Sequence, residues 1–259
     1  MQKIFLIYIL VSFTLNSYSQ DSRKQRQQQK REHVNSMIKQ QEEGIITYKK
    51  SFLFGAKMIT DGYGIFFELG RASSVKKAML YQLEISERKH VKEEKLNSYF
   101  SNSTPYIYGK ENFFYPVKLG LQQQRLLGNK SNKNGVAITA NYGGGISVGL
   151  LRPYYVQVSD GNSVNYVKYN SSDSSEFLGA RVLGGPNFGK GWNEITVTPG
   201  LYAKTALRFD YGSYNEVISA IEVGLSADFY SKKIPQAVYN PKKQFFFSGY
   251  VAILFGKRK

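Results

Sequence analysis

Apolar and polar residues alternate with a period of two through most of this chain, the repeat of a β-strand whose two faces meet different surroundings. Phe52, Phe54, Ala56 and Met58 face one way, and Gly55 and Lys57 the other; Ile65, Phe67 and Leu69 oppose Phe66, Glu68 and Gly70. Met79, Tyr81, Leu83 and Ile85 oppose Gln82, Glu84, Ser86 and Arg88. The same pattern gives strands around 113–124, 136–149, 195–210, 217–229 and 244–255. About eight strands result, most near the roughly ten-residue length that a tilted strand needs to cross a bilayer.

The connections divide by length. Those at 60–64, 89–111, 159–191 and 231–243 fall at one end, and 71–77, 128–134 and 211–216 at the other. Both long connections share an end, and the turns at the opposite end are short, as in membrane barrels. Aromatics fit the same picture. Phe113, Tyr115, Tyr154, Trp192, Phe229 and Phe245 sit near strand ends on the long-loop side, and Phe209, Tyr211 and Phe255 near the opposite ends, the places of an interfacial girdle.

The polar parity is rich in glycine and carries both signs of charge: Lys57, Glu68, Glu84, Arg88, Lys118, Lys204, Arg208, Glu222 and Asp228. Balanced charge suits a narrow, poorly hydrated interior, because an unpaired buried charge is costly. Glycine leaves room there for longer side chains. These nine residues are therefore read as a lumen charge network; the alternative is a solvated outer face. A turn centred near Ser213 sets Lys204 beside Glu222 and Tyr202 beside Gly224. Pro199 marks an expected bulge or edge-like irregularity.

Composition adds a location. Residues 1–19 combine Lys3, a short apolar run and the small residues Ser17 and Ser19, the pattern of a secretory signal peptide. Residues 20–44 form a basic, glutamine-rich tail and 45–259 the strand region. The chain has no cysteine, which excludes disulfides and a lipoprotein anchor, and a formal net charge of +16. In an exported protein that charge points to anionic lipid headgroups or lipopolysaccharide phosphates before nucleic acid. Lys232, Lys233, Lys242 and Lys243 crowd one outer connection and are the residues placed to meet such phosphates.

Together with the final strand SGYVAILFGKRK, these features resemble the small outer-membrane β-barrels of Gram-negative bacteria, PorT-like and OmpX-like. The resemblance implies an all-β fold, a closed antiparallel up-and-down transmembrane barrel with a polar N-terminal tail, both termini being periplasmic. It also implies handling by the barrel-assembly machinery, which reads a terminal strand such as Val251, Ile253 and Phe255; here Gly256–Lys259 follow the aromatic residue. The expected function is structural or interaction-based, through loops 89–111 and 159–191 and an envelope partner. A soluble lipocalin-like ligand-binding barrel, with its apolar residues pointing inward, is the main alternative.

An outer-membrane lipid-modifying enzyme is the third reading. His90 has Ser86 and Glu87 upstream and Glu93 and Glu94 downstream, but a nucleophilic site needs all three groups oriented on one face. No catalytic residue is assigned. Two distant histidines without cysteine do not form a usual zinc site, and GGGISVG at 143–149 lacks the helix of a phosphate loop. No metal or cofactor is assigned either. GGPNFGKGW at 184–192 reads equally as a shaped loop over the mouth or as a mobile one.

Overall fold

The computed structural model describes residues 27–29, 31, 48–97, 104–130, 135–160, 163–170, 174–179, 182–212 and 216–259. The segment read as a signal peptide, most of the basic tail and the turn at Ser213 lie outside them.

Eight long strands close into a ring: β1 (Lys50–Ile59), β2 (Gly62–Ser74), β3 (Lys77–Arg88), β6 (Asn112–Gly128), β7 (Ala137–Pro153), β11 (Thr196–Asp210), β12 (Val217–Ile234) and β13 (Lys243–Arg258). Between them lie the short strands β4 (Lys95–Leu96), β5 (Tyr106–Ile107), β8 (Tyr155–Asp160), β9 (Ser163–Lys168) and β10 (Val182–Gly184), and the single-turn helix α1 (Ser175–Leu178). Around the barrel the order is β1, β13, β12, β11, β7, β6, β3, β2, and every pairing is antiparallel. The first and last strands meet, Ser51 opposite Arg258 and Ile59 opposite Tyr250.

Alternation decides which way each side chain points. Met58, Leu69, Leu119, Ile146, Leu201, Leu225 and Phe247 lie on the exterior, and Leu53, Phe66, Leu80, Tyr202, Tyr250 and Leu254 inside. A soluble barrel that binds a ligand needs an apolar lining and a polar outer face, so the lipocalin-like alternative is overturned: the charges are in and the outer face is apolar.

Several expectations are corrected. β11 and β12 pair four residues away from the expected register, so Lys204 faces Ser226, Tyr202 faces Asp228, and Glu222 faces Arg208. Pro199 causes no bulge: it pairs with Val148 in an unbroken ladder, just ahead of the first β12 partner at Gly200. Lacking an N–H, it occupies the place where only one neighbour has to be bonded. Gly256 to Arg258 do not trail behind a terminal aromatic; they continue β13 against Leu53, Phe52 and Ser51. Tyr154 belongs to no girdle. It is 2 % exposed, at the centre of a small separate core.

The barrel's two ends differ. At the turn end, where Lys50 and Arg258 lie, short turns join the strands. At the loop end the long connections fold. β10, β8 and β9 make a three-stranded sheet, and β4 and β5 a two-stranded one. Thus 159–191 is neither a bare loop nor a simple flap, because Tyr155, Val156, Gln157 and Val158 already pair with β9 before it begins.

Candidate functional site

The interior is built from side chains that alternation turns inward. All nine candidate charges are buried there: Lys57, Glu68, Glu84, Arg88, Lys118, Lys204, Arg208, Glu222 and Asp228. They form two groups. In the first, Arg88 pairs with Asp228, Lys118 stands 2.6 Å from Asp228 and 3.6 Å from Glu84, and Lys57 lies 2.5 Å from Glu84. In the second, the Arg208 guanidinium makes two 2.8 Å bonds to Glu68 and a 2.7 Å contact to Glu222. Lys204 reaches Glu222 at 3.3 Å. The Tyr250 ring joins the groups, 4.8 Å from Lys57 Nζ and 5.4 Å from Lys204 Nζ.

Two of these pairs cross the barrel. β11 and β2 stand four places apart in the eight-membered ring, as do β3 and β12, so Arg208–Glu68 and Arg88–Asp228 span its diameter. A planar guanidinium holding a carboxylate through two parallel bonds is the strongest ion-pair geometry available. The strand interior clears space for these long chains. Tyr202 lies against Gly120, where an added Cβ would come within 2.3 Å of its hydroxyl, and Phe66 lies against Gly55 in the same way. The aromatic-over-glycine device is present, but Tyr202 uses Gly120 rather than Gly224, which Tyr250 covers.

Apolar groups bracket the charges. Phe114, Leu151, Tyr230, Ile234 and Phe246 cluster towards the loop end, with Tyr230 edge-on to Phe114 at 5.3 Å. A strap then crosses the mouth. Leaving β12, Gln236 accepts from the Glu111 amide at 2.9 Å, and Val238 N–H donates to Gly109 at 2.9 Å. β12 and β6 are not neighbours in the ring, so this segment passes over the opening. At the turn end Asp210 receives Arg258 and, at 3.5 Å, Lys130, and a recess there is lined by Tyr48, Ser51, Gln124 and Arg208.

The loop-end cap has its own core of Tyr154, Val156, Val158, Phe177 and Val182. The Tyr154 hydroxyl accepts from Ile107 N–H at 2.9 Å, and burial pushes that phenol up to about 12. Lys110 is buried beside Glu93 at 2.6 Å; burial lowers its pKa and the Glu93 carboxylate opposes that shift. The sequence carried no signal for Lys110, which sits in a connection. The alternation of 154–158 was a readable sign of the cap sheet. Outside the cap, Arg152 lies 4.1 Å over Phe113 and 4.7 Å over Trp192, and Tyr115 stacks on Trp192 at 5.8 Å.

The groups near His90 are dispersed. Ser86 points inward, its hydroxyl 3.5 Å from the Pro116 carbonyl, and Glu87 accepts from the Tyr63 hydroxyl outside. His90 Nδ1 accepts from Lys92 N–H at 3.2 Å, and burial together with nearby Lys243 lowers its pKa. No hydrogen bond joins a serine to this imidazole among the described residues.

No protein-family model matches the sequence. No curated protein matches it either. Solved structures do align along most of the chain. The N-terminal β-barrel domain of OprF from Pseudomonas aeruginosa is 9 % identical, covering 81 % of this chain and 99 % of its own at a TM-score of 0.36. Neisserial surface protein A is 12 % identical, covering 82 % and 96 % at 0.37. Ail, the attachment invasion locus protein of Yersinia pestis, is 7 % identical, covering 82 % and 100 % at 0.38. The barrel itself is established by this chain's own strand register, not by these likenesses.

Proposed function

We propose that the chain is an integral outer-membrane barrel with a plugged polar lumen and a structural or interaction role in the cell envelope. One observation carries this reading: apolar side chains cover the outside of all eight strands, while ion pairs fill the inside. Water favours the opposite arrangement, and a closed barrel is the one sheet that leaves no unpaired edge in hydrocarbon. The signal-like residues 1–19 supply export, residues 20–44 form a periplasmic tail, and both termini share that side. Loops 89–111 and 159–191 supply the partner-binding surface, with Phe188 exposed upon it. Lys232, Lys233, Lys242 and Lys243 meet lipopolysaccharide phosphates at the same end, and β13 is the strand handed to the assembly machinery.

Cell fractionation tests this. The protein is expected to stay in carbonate-washed membranes and to migrate differently on gels before and after boiling. A freely soluble periplasmic product with one mobility overturns the reading.

A further inference from the structure

At the turn end, outward positions on five consecutive strands of the ring are basic: Arg125 on β6, Lys77 on β3, Arg71 on β2, Lys50 on β1 and Lys257 on β13. All five side chains are exposed, and each stands on the face that carries the apolar exterior. The other three strands carry Ile138, Phe209 and Val217 as their last outward residues. Two pairs of like charge lie directly opposite one another, Lys50 with Arg71 and Lys77 with Arg125. Such pairing destabilises a sheet unless an anion is shared. None of the five makes an ion pair among the described residues. The acid at this level, Asp210, turns inward to Arg258 and Lys130, and Glu216 stands exposed at the start of β12. The Arg125 guanidinium lies 5.6 Å from the Tyr142 ring, and the exposed Leu127 follows it on the same face.

A girdle that served only to keep long side chains in water would run round all eight strands. Among the described residues this one is confined to an arc, and above it stand Phe52, Leu69, Met79 and Phe255, exposed and apolar. Cations at an interface beneath an apolar column match one ligand chemistry, a phosphodiester attached to acyl chains. We propose that this arc is a binding site for anionic glycerophospholipid in the membrane leaflet at the turn end, each opposed pair gripping one headgroup phosphate. The proposal rests on the membrane reading above.

The test uses the folded full-length protein in detergent and in vesicles. Native mass spectrometry with phosphatidylglycerol or phosphatidylcholine added at equal amounts reads the retained lipid. Wild type is expected to retain phosphatidylglycerol roughly thirtyfold better at each opposed pair, from about 1 kcal/mol for each of its two basic residues. Lys50→Gln with Arg71→Gln, and separately Lys77→Gln with Arg125→Gln, should each lose one bound lipid; all four together should show no preference. Lys232→Gln with Lys233→Gln at the loop end should retain it. Heat-dependent gel migration verifies that each variant is folded. Equal retention of both lipids by wild type, undiminished retention by the fourfold variant, or full displacement by inorganic phosphate at the same concentration each overturns the site. A wild-type chain that never enters vesicles overturns the membrane reading as well, whereas one that enters without lipid preference overturns only this proposal.

Discussion

Glu222 accepts from four side chains at once: Lys204, Tyr250 at 2.7 Å, Asn141 at 3.0 Å and Arg208. It is fully buried, so its charge is held only by those donors. Glu222→Gln keeps the shape but leaves Lys204 and part of Arg208 uncompensated, a loss of about 3–5 kcal/mol for a buried pair broken on one side. The midpoint of urea unfolding, followed by gel mobility, should fall accordingly. Adding Lys204→Met should recover part of the loss, since it removes the stranded cation. His90 acts at the same scale with smaller consequence. Its folded-state pKa lies below the ordinary 6.5, so the folded loop gains from neutral imidazole above that value. That advantage fades as pH falls from 6.5 through the lowered pKa, where Nδ1 becomes a donor and can no longer accept from Lys92. The protection factor of the Lys92 amide, taken relative to the intrinsic exchange rate at each pH, should fall on acidification through that window, and His90→Asn should abolish the pH step.

At the scale of elements, parity was legible and register was not. The outward apolar positions of the eight barrel strands could be placed on their face by counting in twos, because a one-residue slip would turn them into the lumen. A slip of two or four residues keeps every face intact. The β11–β12 register therefore depends on what meets inside: Tyr202 must find Gly120, and Arg208 must come level with Glu222 while also reaching Glu68 across the ring. The diametric pairs Arg208–Glu68 and Arg88–Asp228 join residues far apart in sequence, and no spacing rule connects them. The cap was partly readable, through the alternation after Tyr154. The cysteine-free background makes the register directly measurable. Ala203→Cys with Ala227→Cys places thiols on opposed residues and should cross-link on oxidation, whereas Ala203→Cys with Val223→Cys, the pair of the displaced register, should not.

For the whole molecule, two bodies of different character share one chain. The cap core of Tyr154, Val156, Val158, Phe177 and Val182 is separate from the clusters inside the barrel. Replacing residues 157–183 with a short Gly/Ser linker should therefore leave the heat-dependent mobility of the barrel unchanged while removing any partner binding that the cap provides. A lost mobility shift would mean that the cap is needed to close the ring.

The strap at Gln236 and Val238 also bears on how the ring is put together and pulled apart. β13 closes the seam against β1, so the β12–β13 hairpin is the natural place for the cylinder to be unzipped. Yet the link between those two strands is stitched to Gly109 and Glu111 on the far side of the mouth. Peeling the hairpin away must first shear that stitch, and the hairpin can be laid down fully only once β6 is standing. The last joint to be made is thus braced from across the ring.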